Sequence, residues 1–469
     1  MRRAALVALL FGMVIGVEAE AQVPSVQEIA LYAKPAAVLV TARVDGDVTL
    51  DCGGGRTTVK AAPFVETGTG WFVDGRGFVI TNAHVVDPAH TVPPWVTRDL
   101  RQSGVERACV DPVLAQRGLG RGQRPDVEEQ LRRRANPASV EVKPTASLVV
   151  TLANGKTLSA EVKKFSPPIR LDAGGKPLPN SGRDLALLRI VPGTYPALTI
   201  APDMPRIGEE LHIIGFPGVV MSHELLNRNA PVEATITNGA VSSFQVDAIG
   251  QDVIQTDAAA VQGNSGGPAV GPLGSVLGVL TFVTLSRDGG DVVQGFNFLI
   301  PAKDVRKFLE GTEVASPSDS AFSVAWRAGL RDLFRGRYRS AAARLEEADK
   351  LVPGLPDVKR ALREARNPPP QPFPWGWLAL GIALVSAAIF GTLAYRRWRR
   401  NRFRIKASEV AKMMESGANP LIVDVRAIGS GQAAALRIPG ALRLTPDALD
   451  RGEVPAEAQS DRTVVAYCS

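Results

Sequence analysis

The chain has 469 residues, 45% of them hydrophobic and 22% charged, and a formal net charge of +7. That length is more than one ordinary domain, and the composition is that of a chain with enough apolar material for at least one large core. The charge excess excludes a dispersed nucleic-acid-binding face. Arg396, Arg397, Arg399, Arg400, Arg402, Arg404 and Lys406 fall in one run without an acidic residue, and these seven equal the whole net charge.

The first 21 residues read as a secretory signal. Arg2 and Arg3 precede an apolar run from Ala4 to Val17, and Ala19-Glu20-Ala21 fits a small-residue cleavage site. The run is shorter than the roughly 20 residues that span a bilayer. From about residue 24 to 310 the pattern is largely β. Short runs rich in Val, Ile, Leu and Thr recur, as at Ala37 to Ala42, Ser147 to Leu152 and Ser275 to Val283. Gly, Asn and Asp punctuate them, and Asn154-Gly155 between two alternating runs signals a hairpin. Many short strands at this spacing predict a barrel or sandwich. Gly68-Thr69-Gly70-Trp71-Phe72-Val73 is read as a turn. Residues 88–145, rich in Arg and Pro with poor periodicity, are read as an inserted surface excursion.

Beyond about Asp319 the chain turns helical. Gly329, Gly336, Tyr338, Ala341, Leu345, Ala348 and Pro353 resemble the spacings of one tetratricopeptide repeat, so residues 317–366 are expected to form a helical hairpin. Residues 367–374, Asn-Pro-Pro-Pro-Gln-Pro-Phe-Pro, make a stiff linker. Trp375 to Tyr395 then carries no charged residue and is long enough to cross a membrane; the basic run behind it places the C-terminal side in the cytoplasm. Residues 22 to about 374 are thus expected outside the cytoplasm and residues 396–469 inside. On that topology Cys52 and Cys109 lie in an oxidising compartment, where they either pair or stay as two free buried thiols, and Cys468 lies in a reducing one.

The strongest chemical signal is Gly263-Asn264-Ser265-Gly266-Gly267-Pro268. A serine hydroxyl needs a base to take its proton and fixed donors for the oxyanion that forms. Glycines let the backbone bend so that the amides of Gly263 and Ser265 aim at one point. Four histidines could supply the base. His84 follows the apolar run Phe78-Val79-Ile80 through Thr81-Asn82-Ala83, where an imidazole can be held against a cleft; His90, His212 and His223 are read as structural. Asp184, in Gly182-Arg183-Asp184-Leu185-Ala186-Leu187-Leu188, opens a fully apolar run, and a carboxylate there implies a partner. Asp172 and Asp203 are read as ordinary turn residues. The order His84, Asp184, Ser265 is that of the trypsin fold. No histidine and cysteine spacing suits a metal, and the chemistry calls for no cofactor.

Together these motifs, with Thr256-Asp257-Ala258 and Gly295-Phe296-Asn297-Phe298-Leu299-Ile300-Pro301, resemble the HtrA/Deg branch of trypsin-like serine proteases over residues 26 to 310. The resemblance implies a mainly β fold of two six-stranded barrels, over residues 22–312, with the triad in the cleft between them. It also implies endopeptidase action through an acyl-enzyme on proteins of the bacterial envelope, from the outer face of the inner membrane. In such proteases the residue six before the serine lies at the base of the primary specificity pocket. Here it is Ala259, followed by Ala260, which implies small or medium apolar side chains at the cleaved position. No PDZ domain follows Pro301. The tail, with Leu421 to Arg426, Arg437 to Ala441 and Val464 to Cys468, looks like an α/β rhodanese domain whose cysteine is Cys468. In that family a loop and a helix follow the cysteine, whereas here only Ser469 does, so the tail reads as an incomplete domain. Two other readings compete: a catalytically silent peptide-binding pseudoprotease that signals through the membrane, and a rhodanese-type sulfurtransferase.

Overall fold

The computed structural model describes residues 25–135, 139–172, 174–218, 233–285, 292–314, 319–370, 373, 375–426, 437–453 and 461–468. The signal segment at 1–21 and His223 lie outside the described residues. The chain divides into two units, residues 1–369 and 370–469.

In the first unit, helix α1 (Val26–Ala33) leads into strand β1 (Ala37–Asp51). Ser25 caps the helix by accepting the Glu28 N–H at 3.1 Å. β1 pairs with β2 (Arg56–Lys60), β3 (Phe64–Asp74) and β5 (Glu141–Thr151). The first sheet continues through β4 (Phe78–Thr81), β8 (Leu185–Arg189), β6 (Thr157–Ser159) and β7 (Glu161–Ser166), in the order β6-β5-β1-β3-β4-β8-β7. It is eight-stranded and open, which corrects the expected closed first barrel. The reason lies at Ala160. Ser159 pairs with Val149 at one sheet edge, whereas Glu161 already pairs with Arg189 at the other. One bent segment joins the two edges covalently, with no ladder between them.

The second sheet is a closed six-stranded barrel, β10-β11-β14-β13-β12-β9. Its strands are β9 (Glu210–Gly215), β10 (Thr235–Val246), β11 (Asp252–Thr256), β12 (Pro268–Val270), β13 (Val276–Leu285) and β14 (Val292–Pro301), and α2 (Ala302–Leu309) follows. The Gly68 to Val73 stretch is the buried end of β3, not a turn. Its glycines serve close packing: a Cβ at Gly70 would lie 2.7 Å from Val79 and 2.9 Å from Val40.

The segment read as a surface excursion is a compact helical insert. It comprises α3 (Pro94–Val105), α4 (Asp111–Gln116) and α5 (Pro125–Arg134), with a π-turn at Glu106–Val110. Pro94 and Pro125 each stand in a first turn, where a missing N–H costs nothing, and Pro112 directly follows the π-turn, so the proline content did not preclude helices. Val96, Leu100 and Cys109 pack on Val44, Val48 and Leu50 of β1. Gly104 meets β1 so closely that a Cβ would lie 2.6 Å from Val48. A disulfide joins Cys52 to Cys109, with Cα atoms 5.5 Å apart. Residues 141–145 belong to β5, where they pair with β1, and so not to the insert.

Where a helical hairpin was expected at 317–366, three helices form: α6 (Ala321–Phe334), α7 (Tyr338–Leu351) and α8 (Pro356–Arg366). The third carries Val358, Ala361, Leu362 and Ala365 on one buried face. These helices share one continuous core with α1 and both sheets, including Ile29, Trp71, Ile214, Val279, Trp326, Leu345 and Leu362. The Trp326 indole donates to Leu31 O at 3.1 Å. Ser323 Oγ donates to Ala197 O at 2.9 Å and accepts the Ala197 N–H at 2.8 Å, gripping the connection between the two sheets.

The second unit contains α9 (Trp375–Asn401), a 27-residue helix with mean hydropathy 2.1 over its most apolar window and no buried residue. It extends past the span expected at 375–395 because the basic run continues the helix. β15 (Leu421–Asp424) lies between β16 (Leu442–Arg443) and β17 (Val464–Tyr467), paired in parallel to both. Cys468 follows β17 and is exposed.

Candidate active site

Strand pairing brings the first two site residues together. β4 and β8 are antiparallel with Thr81 opposite Ala186, so the chain just beyond Thr81 faces the chain just before Ala186. His84 stands in the first turn of the helix Ala83–His90, and Asp184 immediately precedes β8. His84 Nδ1 lies 2.8 Å from Asp184 Oδ2, and the His84 backbone N–H donates to Asp184 Oδ1 at 2.9 Å. Thr281 Oγ1, from β13 of the closed barrel, donates to Asp184 Oδ2 at 2.8 Å. Asp184, 7% exposed, thus has three polar partners at its carboxylate, two on His84 and one on the closed barrel.

Asp184 adopts φ +58°, the left-handed region that a non-glycine residue rarely occupies. Its main chain is held at both ends. The N–H donates to Pro167 O at 3.0 Å, and its carbonyl accepts from Asn82 Nδ2 at 2.9 Å. The His84 imidazolium is disfavoured by burial, but the Asp184 charge and hydrogen bond outweigh this, with help from Glu66 and Asp87. Its pKa therefore lies above the ordinary histidine value.

Ser265 lies on the loop before β12. Gly263 (φ +98°) and Gly266 (φ +85°) take conformations that side chains resist. Gly266 also allows contact with the first sheet, since a Cβ there would lie 2.2 Å from Thr69 O and 2.9 Å from Asn82 N. Thr69 clasps this loop. Its N–H donates to Ser265 O at 2.8 Å, and its hydroxyl donates to Gly263 O at 2.7 Å while accepting the Phe216 N–H at 2.9 Å. Thr81 Oγ1 in turn donates to Thr69 O at 2.7 Å. Among the described residues, the N–H groups of Gly263 and Ser265 have no protein acceptor. The Ser265 hydroxyl donates to Thr281 O at 3.4 Å, and among the described residues it makes no hydrogen bond to His84.

Ala259 is exposed, and its carbonyl accepts from Thr237 Oγ1 at 2.7 Å. Ala260 is buried against the core of the closed barrel. Of the other histidines, His90 packs on Phe165 with ring centres 4.7 Å apart, and buried His212 bonds to Asn238 at 2.9 Å. Sequence reasoning missed Thr69, Asn82, Thr281 and Asn297. The buried Asn297 amide donates to Ala258 O at 2.7 Å and steadies the 257–260 segment. The available signal was polarity inside apolar strands, as with Thr281 in Val276 to Val283.

Residues 68–279 match the sequence model of the trypsin-like peptidase domain. The chain is 30% identical over 184 residues to serine protease HTR4 of Bos taurus, a match covering 37% of this chain and 33% of that protein. It is 29% identical over 174 residues to the probable periplasmic serine endoprotease DegP-like of Chlamydia trachomatis, covering 36% and 29%. It is 32% identical over 133 residues to serine endoprotease DegS of Escherichia coli (strain K12), covering 27% and 34%. The chain spans about a third of the length of these curated relatives.

Proposed function

We propose that this chain, whose residues 68–279 are a trypsin-like peptidase domain similar to HtrA-type serine proteases, is a membrane-anchored serine endopeptidase of the cell envelope. The observation that carries the reading is the His84–Asp184 pair at 2.8 Å, joined through Thr281 to the barrel that bears Ser265.

Ser265 Oγ attacks the scissile carbonyl while His84 Nε2 takes its proton. Asp184 accepts from Nδ1, so it fixes the tautomer that leaves Nε2 free and stabilises the cation that forms. The N–H groups of Gly263 and Ser265 receive the carbonyl oxygen as it gains charge; their lack of protein acceptors among the described residues supports this role. His84 then passes its proton to the leaving amine, and water, deprotonated by the same imidazole, releases the acyl group. The small side chains of Ala259 and Ala260 support cleavage after small or medium apolar residues. The charge-free Trp375 to Tyr395 stretch followed by arginines supports a single membrane crossing with the peptidase outside the cytoplasm. Work on damaged or signalling proteins of the envelope is the corresponding role.

The Ser265 hydroxyl is turned towards Thr281 O, which favours as a second reading a catalytically silent peptide-binding protein that signals through the membrane. Labelling of the full-length detergent-solubilised chain with a fluorophosphonate, beside Ser265→Ala, separates the two. Wild type alone becomes labelled if the serine is activated. A folded wild type that stays unlabelled refutes the peptidase and leaves the silent binder.

A further inference from the structure

Arg183 immediately precedes Asp184, yet its side chain reaches the closed barrel. Nη1 donates to Asp247 Oδ2 at 3.0 Å, and Nη2 donates to Asp304 Oδ2 at 2.5 Å and to the Asp252 carbonyl. The guanidinium is 10% exposed and the Asp247 side chain 3%. Asp247 is itself immobilised, because its other oxygen accepts the N–H groups of Ile249 at 3.0 Å and Gln251 at 2.9 Å and so closes the β10–β11 turn. Asp304 sits in the first turn of α2, directly behind the barrel. At its near end the Arg183 N–H donates to Ser166 Oγ at 2.7 Å.

Asp184 has to meet two bodies at once, His84 on the first sheet and Thr281 on the barrel. It does so from a left-handed conformation that a free turn would leave. Hydrogen bonds to Ser166 and Pro167 tie that turn to the first sheet alone. The neighbouring contacts that tie it to the barrel come from the Arg183 side chain. A buried arginine with two carboxylates is a poor device for stability, since desolvation offsets the attraction, but its planar fork fixes geometry.

We infer that Arg183 is a positioning residue that clamps the Asp184 turn to the closed barrel and so holds the carboxylate between His84 and Thr281. The inference rests on the peptidase reading above. It adds a residue that acts through Asp184 and touches no substrate.

The test is the rate of fluorophosphonate labelling of the full-length chain from pH 5 to 9. The variants are Arg183→Met, Arg183→Lys, and Arg183→Met combined with Asp247→Asn and Asp304→Asn, which strands no buried carboxylate. His84, the group the profile reports, faces Asp184, Glu66 and Asp87. Loss of the clamp is expected to slow labelling of the triple variant about 100-fold, the usual scale for a small misplacement. The acid midpoint of Arg183→Met should move to lower pH, because a displaced Asp184 no longer raises the His84 pKa. Lysine, which keeps the charge without the fork, should recover only part of the rate. A purely electrostatic role predicts the opposite shift in Arg183→Met, since removing a cation near His84 raises its pKa; the triple variant, which loses one cation and two anions, is read by its rate alone. Labelling of the folded triple variant within twofold of wild type, or an Arg183→Met midpoint that is unmoved or raised, overturns the inference. If the triple variant does not fold, Arg183→Lys decides: a wild-type rate and midpoint overturns the clamp. An unlabelled but folded wild type brings down the peptidase reading itself.

Discussion

At the scale of single residues, the site depends on hydroxyl groups as much as on the residues that would do the chemistry. Thr69 Oγ1 bridges Gly263 O and the Phe216 N–H. Thr69→Val keeps the shape and strands both groups, at about 1–3 kcal/mol each. The variant should unfold at lower temperature in calorimetry. It should also label 10- to 100-fold more slowly, because the Gly263 and Ser265 amides lose their register; labelling at the wild-type rate would deny the clasp a role. The pH profile follows from the raised His84 pKa. The neutral base is lost as pH falls through that raised value, so the acid limb should sit above the ordinary histidine pKa. Asp184→Asn should move it down. His84, Asp184, Ser265 and Gly263 were legible because short local patterns carry them. Thr69, Thr281 and Arg183 were not, because their partners lie 194, 97 and 121 positions away and only the tertiary fold selects them.

At the scale of elements, the helical insert is a self-contained addition to a long ribbon. The distal half of β1, from Val44 onward, is buried by Val96, Leu100 and Cys109, while a separate small core joins Val110, Leu114 and Leu131. The strands were legible from their β-branched runs, and the Asn154-Gly155 turn does connect β5 to β6 with Gly155 at φ +82°. The insert was not, because its helices are too short for periodicity to stand out and their prolines look like breakers. Its disulfide spans 57 positions. Loop-closure entropy alone puts that constraint at about 4 kcal/mol. Cys52→Ala with Cys109→Ala should therefore lower the unfolding midpoint of the insert. Fluorophosphonate labelling should persist at moderate temperature, because His84, Asp184 and Ser265 are held by other strands. Simultaneous loss of labelling and of the insert's structure on mild heating would show one cooperative unit instead.

At the scale of the whole molecule, the three C-terminal helices and the N-terminal helix are one body with the peptidase fold. Glu233 shows how tightly. Arg360 on α8, foremost, and then Lys34 after α1 hold its pKa at about 2. A depressed carboxyl contributes stability that is present above its ordinary pKa of about 4.5 and is lost as pH falls from there towards 2. Residues 356–366 should thus become susceptible to pepsin across that window, and Glu233→Gln should reduce the pH dependence, leaving the part that belongs to the Glu346–Arg366 pair. The three-helix body was only partly legible, since the tetratricopeptide-like spacing ends at Pro353 and the helix that Pro356 begins has a buried face set by contacts with distant parts of the chain. Those contacts also bear on the order in which the protein comes into being. Residue 31 is bonded to residue 326 and residue 34 to residue 357, so the last helix of this body must leave the ribosome before the first can settle. A newborn chain therefore carries every residue of the candidate site before the helices that complete its core have been made, and that core closes only once the chain has grown past residue 366.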